Sequence, residues 1–287
     1  MLRKVLKYDI NAVIKIWSIM TASVLVMSVI GGLCYRGLTM MTDSRAEMAF
    51  IPLYLLGFIA FLLSASAYGI GTILLIMIRF YKNFFTDEAY LTFTLPVKRS
   101  TLFNSKLLTA FIFNTASGIV TFIVVTVFLA IAPADMTGVS ILSTLIDQFK
   151  LMVQSMSVVM NDRLAAWITA YAVGLIVYIA VYYTYQTLLL FSTVTFGSLI
   201  VKRHKVLFSI LIYYGANVAI TMIGYIVEVV LSVGINLLTI APSVIAGTDI
   251  LWLILGILVF YICMLGLASA FFYKFAVKKL RGNLNLA

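Results

Sequence analysis

Six stretches of roughly twenty or more mainly apolar residues, the length a membrane-crossing helix requires, run through this chain with short charged clusters between them. They cover approximately residues 16–35, 50–78, 107–133, 164–200, 206–227 and 250–273. A segment inside lipid has no water to satisfy its backbone N–H and C=O groups, so only helices and closed barrels can cross. Continuous apolar runs of this length favour the helix over a barrel strand. The expected fold class is therefore all-α, a polytopic membrane protein with six transmembrane helices. Composition agrees, with 63% apolar and 10% charged residues, against about 25% charged in a soluble domain.

The distribution of Lys and Arg orients the spans. Four precede span one, five lie between spans two and three, three between spans four and five, and four follow span six. The other side holds only Arg36, Arg45, Lys150 and Arg163. Short cytoplasmic loops retain positive charge, which places both termini in the cytoplasm of a multi-pass plasma membrane protein. The net charge of +10 is thus a topology signal; the basic residues form no single face or tail that would fit nucleic acid.

The first fifteen residues have a basic start, yet the apolar run behind them is about twenty residues, beyond the roughly 7–15 of a cleavable signal core, so this end is expected to be retained. Leu2, Val5, Leu6, Ile10, Val13, Ile14 and Trp17 recur at helical spacing with Arg3, Lys4 and Lys7 beside them. That pattern predicts an amphipathic helix over residues 1–15, lying in the inner interface. Trp167 and Trp252 sit just inside Arg163 and Asp249, where an outer aromatic belt belongs. Cys34 and Cys263 both lie in apolar segments and form no disulfide framework or metal-ligand spacing.

Within the spans, Gly57, Ala60, Ser64, Ala67 and Gly71 form a ridge of small side chains, suited to close packing inside the chain or to a dimer seam. Trp167, Tyr171, Tyr178, Tyr182 and Tyr185 fall within a sector of roughly 60° at 100° per residue, so their polar groups share one face. Lipid cannot satisfy those hydroxyls. Either other helices do, or the stripe lines a wet path for an amphipathic solute. Glu228 is an acid in a long apolar run, a functional candidate by default. Counted from Val206, however, it lies about 33 Å along the helix, near the outer boundary of the hydrocarbon core. The interrupted stretch 229–248, with Gly234, Pro242 and Gly247, then predicts a short re-entrant or interfacial hairpin before span six.

No constellation for catalysis is present in the sequence. The single histidine, His204 in VKRHK, lacks partners for a zinc site or a nucleophilic relay, and neither HExxH nor GxxxxGK[ST] occurs. The chain is not expected to be an enzyme or to hold a metal, and any use of ATP would need another subunit.

The loop over residues 79–106, RFYKNFFTDEAYLTFTLPVKRSTLFNSK, holds five basic residues and has internal punctuation. Thr86 is placed to cap a helix whose first turn carries Asp87 and Glu88, acids that suit the positive end of the helix dipole. Pro96 disfavours a helical Leu95 and stops that helix after about two turns. Ser100 then caps the helix leading into span three. The outcome is a cytoplasmic helix between spans two and three that presents Tyr90, Leu91 and Phe93 among charged residues. Such a helix either docks in a partner's groove or lies on the lipid headgroups.

At these residues the chain resembles the membrane subunits of ATP-binding cassette (ABC) transporters of the type-2 exporter class. The likeness rests on the N-terminal KYD segment, FYKNFFTDEAYLTFTLPVKRSTLFNSKLL, VKRHKVL before span five and the ending KKLRGNLNL. It implies a single permease domain over residues 1–287 that pairs with a second permease, identical or a paralogue, in the lipid bilayer. It further implies an ABC ATPase subunit that binds ATP and Mg, with no cofactor in this chain. Residues 86–99 would be the coupling helix, Asp87, Glu88 and Arg99 making charged contacts, Tyr90, Leu91 and Phe93 the buried anchors, and Pro96 the bend. Short re-entrant helices between spans five and six fit the same resemblance. The family's larger extracellular domains have no counterpart here, because residues 134–163 read as a modest loop.

Two other classes share the gross features. An ion-coupled secondary transporter would use Glu228 as its coupling acid and often shows inverted repeats, of which the two halves give no convincing sign. A non-transporting membrane scaffold or immunity protein would bind a partner without an ATPase.

Overall fold

The computed structural model describes residues 2–40, 50–86, 99–134, 138–160, 164–200, 204–239 and 247–281. Seven helices account for nearly all of them: α1 (Leu2–Thr39), α2 (Ile51–Phe85), α3 (Arg99–Ile131), α4 (Ile141–Met160), α5 (Leu164–Ile200), α6 (Lys205–Thr239) and α7 (Gly247–Arg281). Six of these, all but α4, are long and apolar enough to cross a membrane. The chain is thus an all-helical membrane protein. Each of the six exceeds 30 residues, or about 45 Å at 1.5 Å per residue, so each must tilt or project beyond a hydrocarbon core of about 30 Å.

Many Ser and Thr hydroxyls inside the helices are satisfied locally. Thr72 donates to the Tyr68 carbonyl at 2.9 Å, Ser105 to that of Leu102 at 2.8 Å, and Thr195 to that of Phe191 at 2.7 Å. Back-bonding to the preceding turn lets an apolar helix carry Ser and Thr without an unpaired donor facing lipid.

Three sequence expectations meet a different local structure. Residues 2–15 are helical as expected but continuous with the first span: α1 runs unbroken from Leu2 to Thr39, because no breaker around Lys15 and Ile16 interrupts helical propensity. The segment expected to begin a hairpin at Val229 instead continues α6 to Thr239, through Gly234. One glycine costs a helix only about 1 kcal/mol, so it does not end one. Finally, residues 134–163 are not merely a loop, since they contain the 20-residue α4; its Ile, Leu, Phe and Met recur at helical spacing between polar residues.

The helices sort into two compact units. The first contains residues 1–76 and 108–156, the second 77–107 and 157–287. In the first, Val24, Phe61, Tyr68, Val120 and Val124 form a buried cluster from α1, α2 and α3. Phe61 stacks on Phe128, centroids 4.8 Å apart and planes at 8°. The Trp17 indole donates to Ser117 Oγ at 2.7 Å. Gly57 faces Cys34 and Gly71 faces Met20, both on α1. Those two positions of the small-residue ridge therefore serve packing inside the chain.

In the second unit, α5 packs beside α6 and α7. Trp167 and Trp252, near the starts of α5 and α7, meet edge to face at 4.8 Å, and further along Ser192 Oγ donates to the Phe272 carbonyl at 3.1 Å. These two helices therefore run parallel. The end of α2 and the start of α3 belong to this unit too. Phe80, Phe84 and Phe103 are at most 1% exposed, as is Phe191 of α5, and Phe103 also meets Tyr273 of α7 at 5.9 Å.

Candidate functional site

A cavity of about 310 Å³ opens in the second unit between α5, α6 and α7. Its wall combines Tyr178, Tyr182, Tyr185 and Gln186 of α5, Asn217, Thr221 and Tyr225 of α6, and Tyr261 of α7, with Met264 and Leu265 as apolar floor. The size falls at the lower end of small-molecule sites, which span about 300–1,000 Å³. The described lining carries hydroxyl and amide groups and no charged side chain.

An amide pair holds the α5–α6 side of this wall. Gln186 Nε2 donates to Asn217 Oδ1 at 3.0 Å, while Gln186 Oε1 accepts from the Tyr213 hydroxyl at 2.8 Å. Asn217 Nδ2 in turn donates to the Tyr213 carbonyl at 3.0 Å. In an apolar medium such interhelical bonds fix register as well as adding stability. On the other side, the Tyr261 hydroxyl donates to the Gly224 carbonyl at 3.0 Å. A Cβ on Gly224 would sit 3.2 Å from that hydroxyl oxygen, a tight contact to which the Tyr261 ring would have to yield by a few tenths of an ångström.

The tyrosine stripe divides by position. Tyr171 is a packing residue, its hydroxyl donating to the Leu251 carbonyl of α7, and it does not line the cavity. Tyr178 and Tyr182 do, with rings stacked at 6.1 Å. Tyr185 is 1% exposed, its ring beside Phe272. Its buried hydroxyl has no hydrogen-bond partner, although the residue forms part of the wall. An unpaired buried hydroxyl costs about 1–3 kcal/mol.

Gln186, Asn217, Tyr213 and Tyr261 were not singled out by the sequence. The available signal was Gln186 directly after Tyr185 and Asn217 within an apolar run, since amides in membrane helices tend to bond across helices. That the two meet is a property of how α5 and α6 pack.

The other sequence-predicted residues are placed less fully. Asp87, Glu88, Tyr90, Leu91, Phe93 and Pro96 lie outside the described residues. Arg99 is the first residue of α3 and Glu228 lies on α6, both with side chains outside the described set. Thr86 closes α2 by donating to the Lys82 carbonyl at 2.6 Å. Ser100 lies inside α3, which begins at Arg99 instead of just after Ser100. His204 adopts φ +56° just before α6. Among the described residues, no group of His, Cys, Asp and Glu is arranged to hold a metal ion.

No protein-family model, no curated protein and no solved structure matches this chain.

Proposed function

We propose that this chain is the permease subunit of an ABC transporter of the type-2 exporter class. It moves a solute, in the export direction, across the cytoplasmic membrane, with both termini in the cytoplasm and ATP and Mg bound by a separate ATPase subunit. A second permease subunit completes the pathway. One juxtaposition carries the proposal: both flanks of the 79–106 loop pack on α5, the helix that supplies the cavity's tyrosines. Phe80 from the α2 flank and Phe103 from the α3 flank meet Phe191 with centroids 4.0 and 5.9 Å away. Phe191 lies six residues beyond Tyr185, about 9 Å along the helix. A displacement of the loop by an ATPase therefore has a packed aromatic route to the cavity wall.

The uncharged, hydroxyl- and amide-bearing wall favours an amphipathic solute without a fixed charge. A charged solute in this setting would need an opposite charge beside it, and the described lining offers none.

The test is to isolate the full-length tagged chain from its native membrane and assay the preparation for ATP hydrolysis. A phosphate-loop ATPase should accompany it. Leu91→Asp should abolish that association while the chain still inserts. A preparation that brings down no ATPase, or a Leu91→Asp chain with unaltered ATPase association and activity, overturns the proposal.

A further inference from the structure

We propose that α4 lies flat in the membrane interface, on the side opposite the N-terminus, with one face sunk into the acyl region. Helical placement at 100° per residue sets Ile141, Leu142, Leu145, Ile146, Phe149 and Met152 within an arc of about 140°. Ser143, Asp147, Lys150 and Gln154 occupy the opposite side, with Leu151 and Val158 as the apolar exceptions there. Asp147 and Lys150 pair at 2.9 Å on that polar side. The apolar arc is not covered by the rest of the chain: Leu145, Ile146, Phe149 and Met152 are between 45% and 60% exposed.

Both ends of α4 are tied to the membrane boundary. At its start, a tight reversal follows directly on α3. The Ile141 N–H donates to the Ala132 carbonyl at 2.8 Å, and the Ala134 N–H to that of Val139 at 2.6 Å. Gly138 supplies the φ of +81° that this turn needs. Ser140 caps α4, its Oγ accepting from the Ser143 N–H at 3.2 Å. At the far end, only residues 161–163 separate Met160 from Leu164, a reach of about 14 Å at most. The next helix, α5, is apolar from its first turn, LAAWITAYAV, so that turn belongs in lipid.

A 20-residue helix is about 30 Å long. Standing upright in water, α4 would carry its C-terminus too far out for the short link to return the chain to α5. Spanning the bilayer would bury the Asp147 and Lys150 charges and give seven crossings, which would put the basic clusters before α6 and at the end of α7 on the side opposite Arg3, Lys4 and Lys7. Lying in the interface satisfies both ties and covers the apolar arc with lipid. Asp147 and Lys150 cancel, so apolar burial drives the association and anionic lipid is not required. This placement rests on the six crossings and not on the ATPase proposal.

The test uses the full chain with Cys34→Ala and Cys263→Ala, reconstituted into vesicles of zwitterionic phosphatidylcholine. Single cysteines introduced by Leu145→Cys, Phe149→Cys, Lys150→Cys and Gln154→Cys carry nitroxide labels. The labels at positions 145 and 149 should collide with oxygen, lose collision with a water-soluble nickel chelate and read a depth of about 5–10 Å. Those at 150 and 154 should show the reverse, and added anionic lipid should change neither pattern. Equal nickel access on both faces would overturn the placement in favour of a water-exposed helix. Shielding of positions 145 and 149 from both reagents would overturn it in favour of a protein contact, including one with a second copy.

Discussion

The ring of Phe80, near the end of α2, lies flat on that of Phe191 in α5, with centroids 4.0 Å apart and planes at 7°. Both rings are 1% exposed. This stack is where the flank of the 79–106 loop meets the helix that carries the tyrosines. Removing either ring leaves a hole among Phe84, Phe103 and the remaining partner, and a buried Phe→Ala change costs about 3–5 kcal/mol. Phe80→Ala and Phe191→Ala should each lower the unfolding temperature in detergent. The double variant should lose less than the sum of the two, with a coupling of about 0.5–1.5 kcal/mol. Strict additivity would mean that the rings do not act together.

The six span-length apolar helices were legible because lipid leaves the backbone few options, and apolar length alone then locates a helix able to span. The boundaries were less legible. Trp17 reads as part of an amphipathic end and as the start of a span, and α1 carries both in one helix. The amphipathic pattern of α4 was present in the sequence but is shared by surface segments of many kinds. The tyrosine face was readable at 100° per residue, whereas its division was not. Whether Tyr171 finds the Leu251 carbonyl or Tyr185 finds nothing depends on the neighbouring helix, which periodicity does not specify.

The Tyr185 hydroxyl offers a test in which loss of a polar group does not destabilise. Tyr185→Phe removes a buried donor that has no partner and keeps the ring beside Phe272. Stability should stay level or rise by about 1 kcal/mol, since an unsatisfied buried group is itself a cost. Solute stimulation of the proposed ATPase partner should nevertheless change. A clear fall in melting temperature would show that the hydroxyl is bonded in the folded chain.

Tyr178 and Tyr182 test the wall itself. Their rings stack on each other and face the cavity, so Tyr178→Ala or Tyr182→Ala should alter which solutes stimulate ATP hydrolysis, with a smaller stability loss than Phe191→Ala. Tyr171→Phe, removing the bond to the Leu251 carbonyl, should leave the solute profile unchanged. If Tyr171→Phe shifts the profile and the other two do not, the cavity is not the solute's route.

The Gln186–Asn217 pair should hold α5 to α6 more through specificity than through energy. Asn217→Ala removes the acceptor of Gln186 Nε2 and the donor to the Tyr213 carbonyl. Side-chain bonds between membrane helices average about 0.6 kcal/mol and reach about 1.7, so the loss in a lipid-bicelle unfolding measurement should stay within that range. Gln186→Ala combined with Asn217→Ala should cost less than the two changes summed, since the pair's shared bond is lost only once. A loss far above that range would mean that the amides carry a wider network.

Two glycines separate helix propensity from packing. A Cβ at Gly31 of α1 would collide with the Cβ and ring of Phe61, whose own ring is held by the stack on Phe128. Neither side can withdraw freely, and Gly31→Ala should destabilise by about 1–3 kcal/mol, the usual penalty of overpacking. Gly69 of α2 meets nothing within 4 Å. Gly69→Ala there should gain up to about 1 kcal/mol from better helix propensity alone. The two substitutions add the same methyl group, so opposite signs in the same unfolding assay would isolate the Phe61 contact as the cause. Equal effects would mean that α1 and α2 do not approach each other at Phe61 as closely as described.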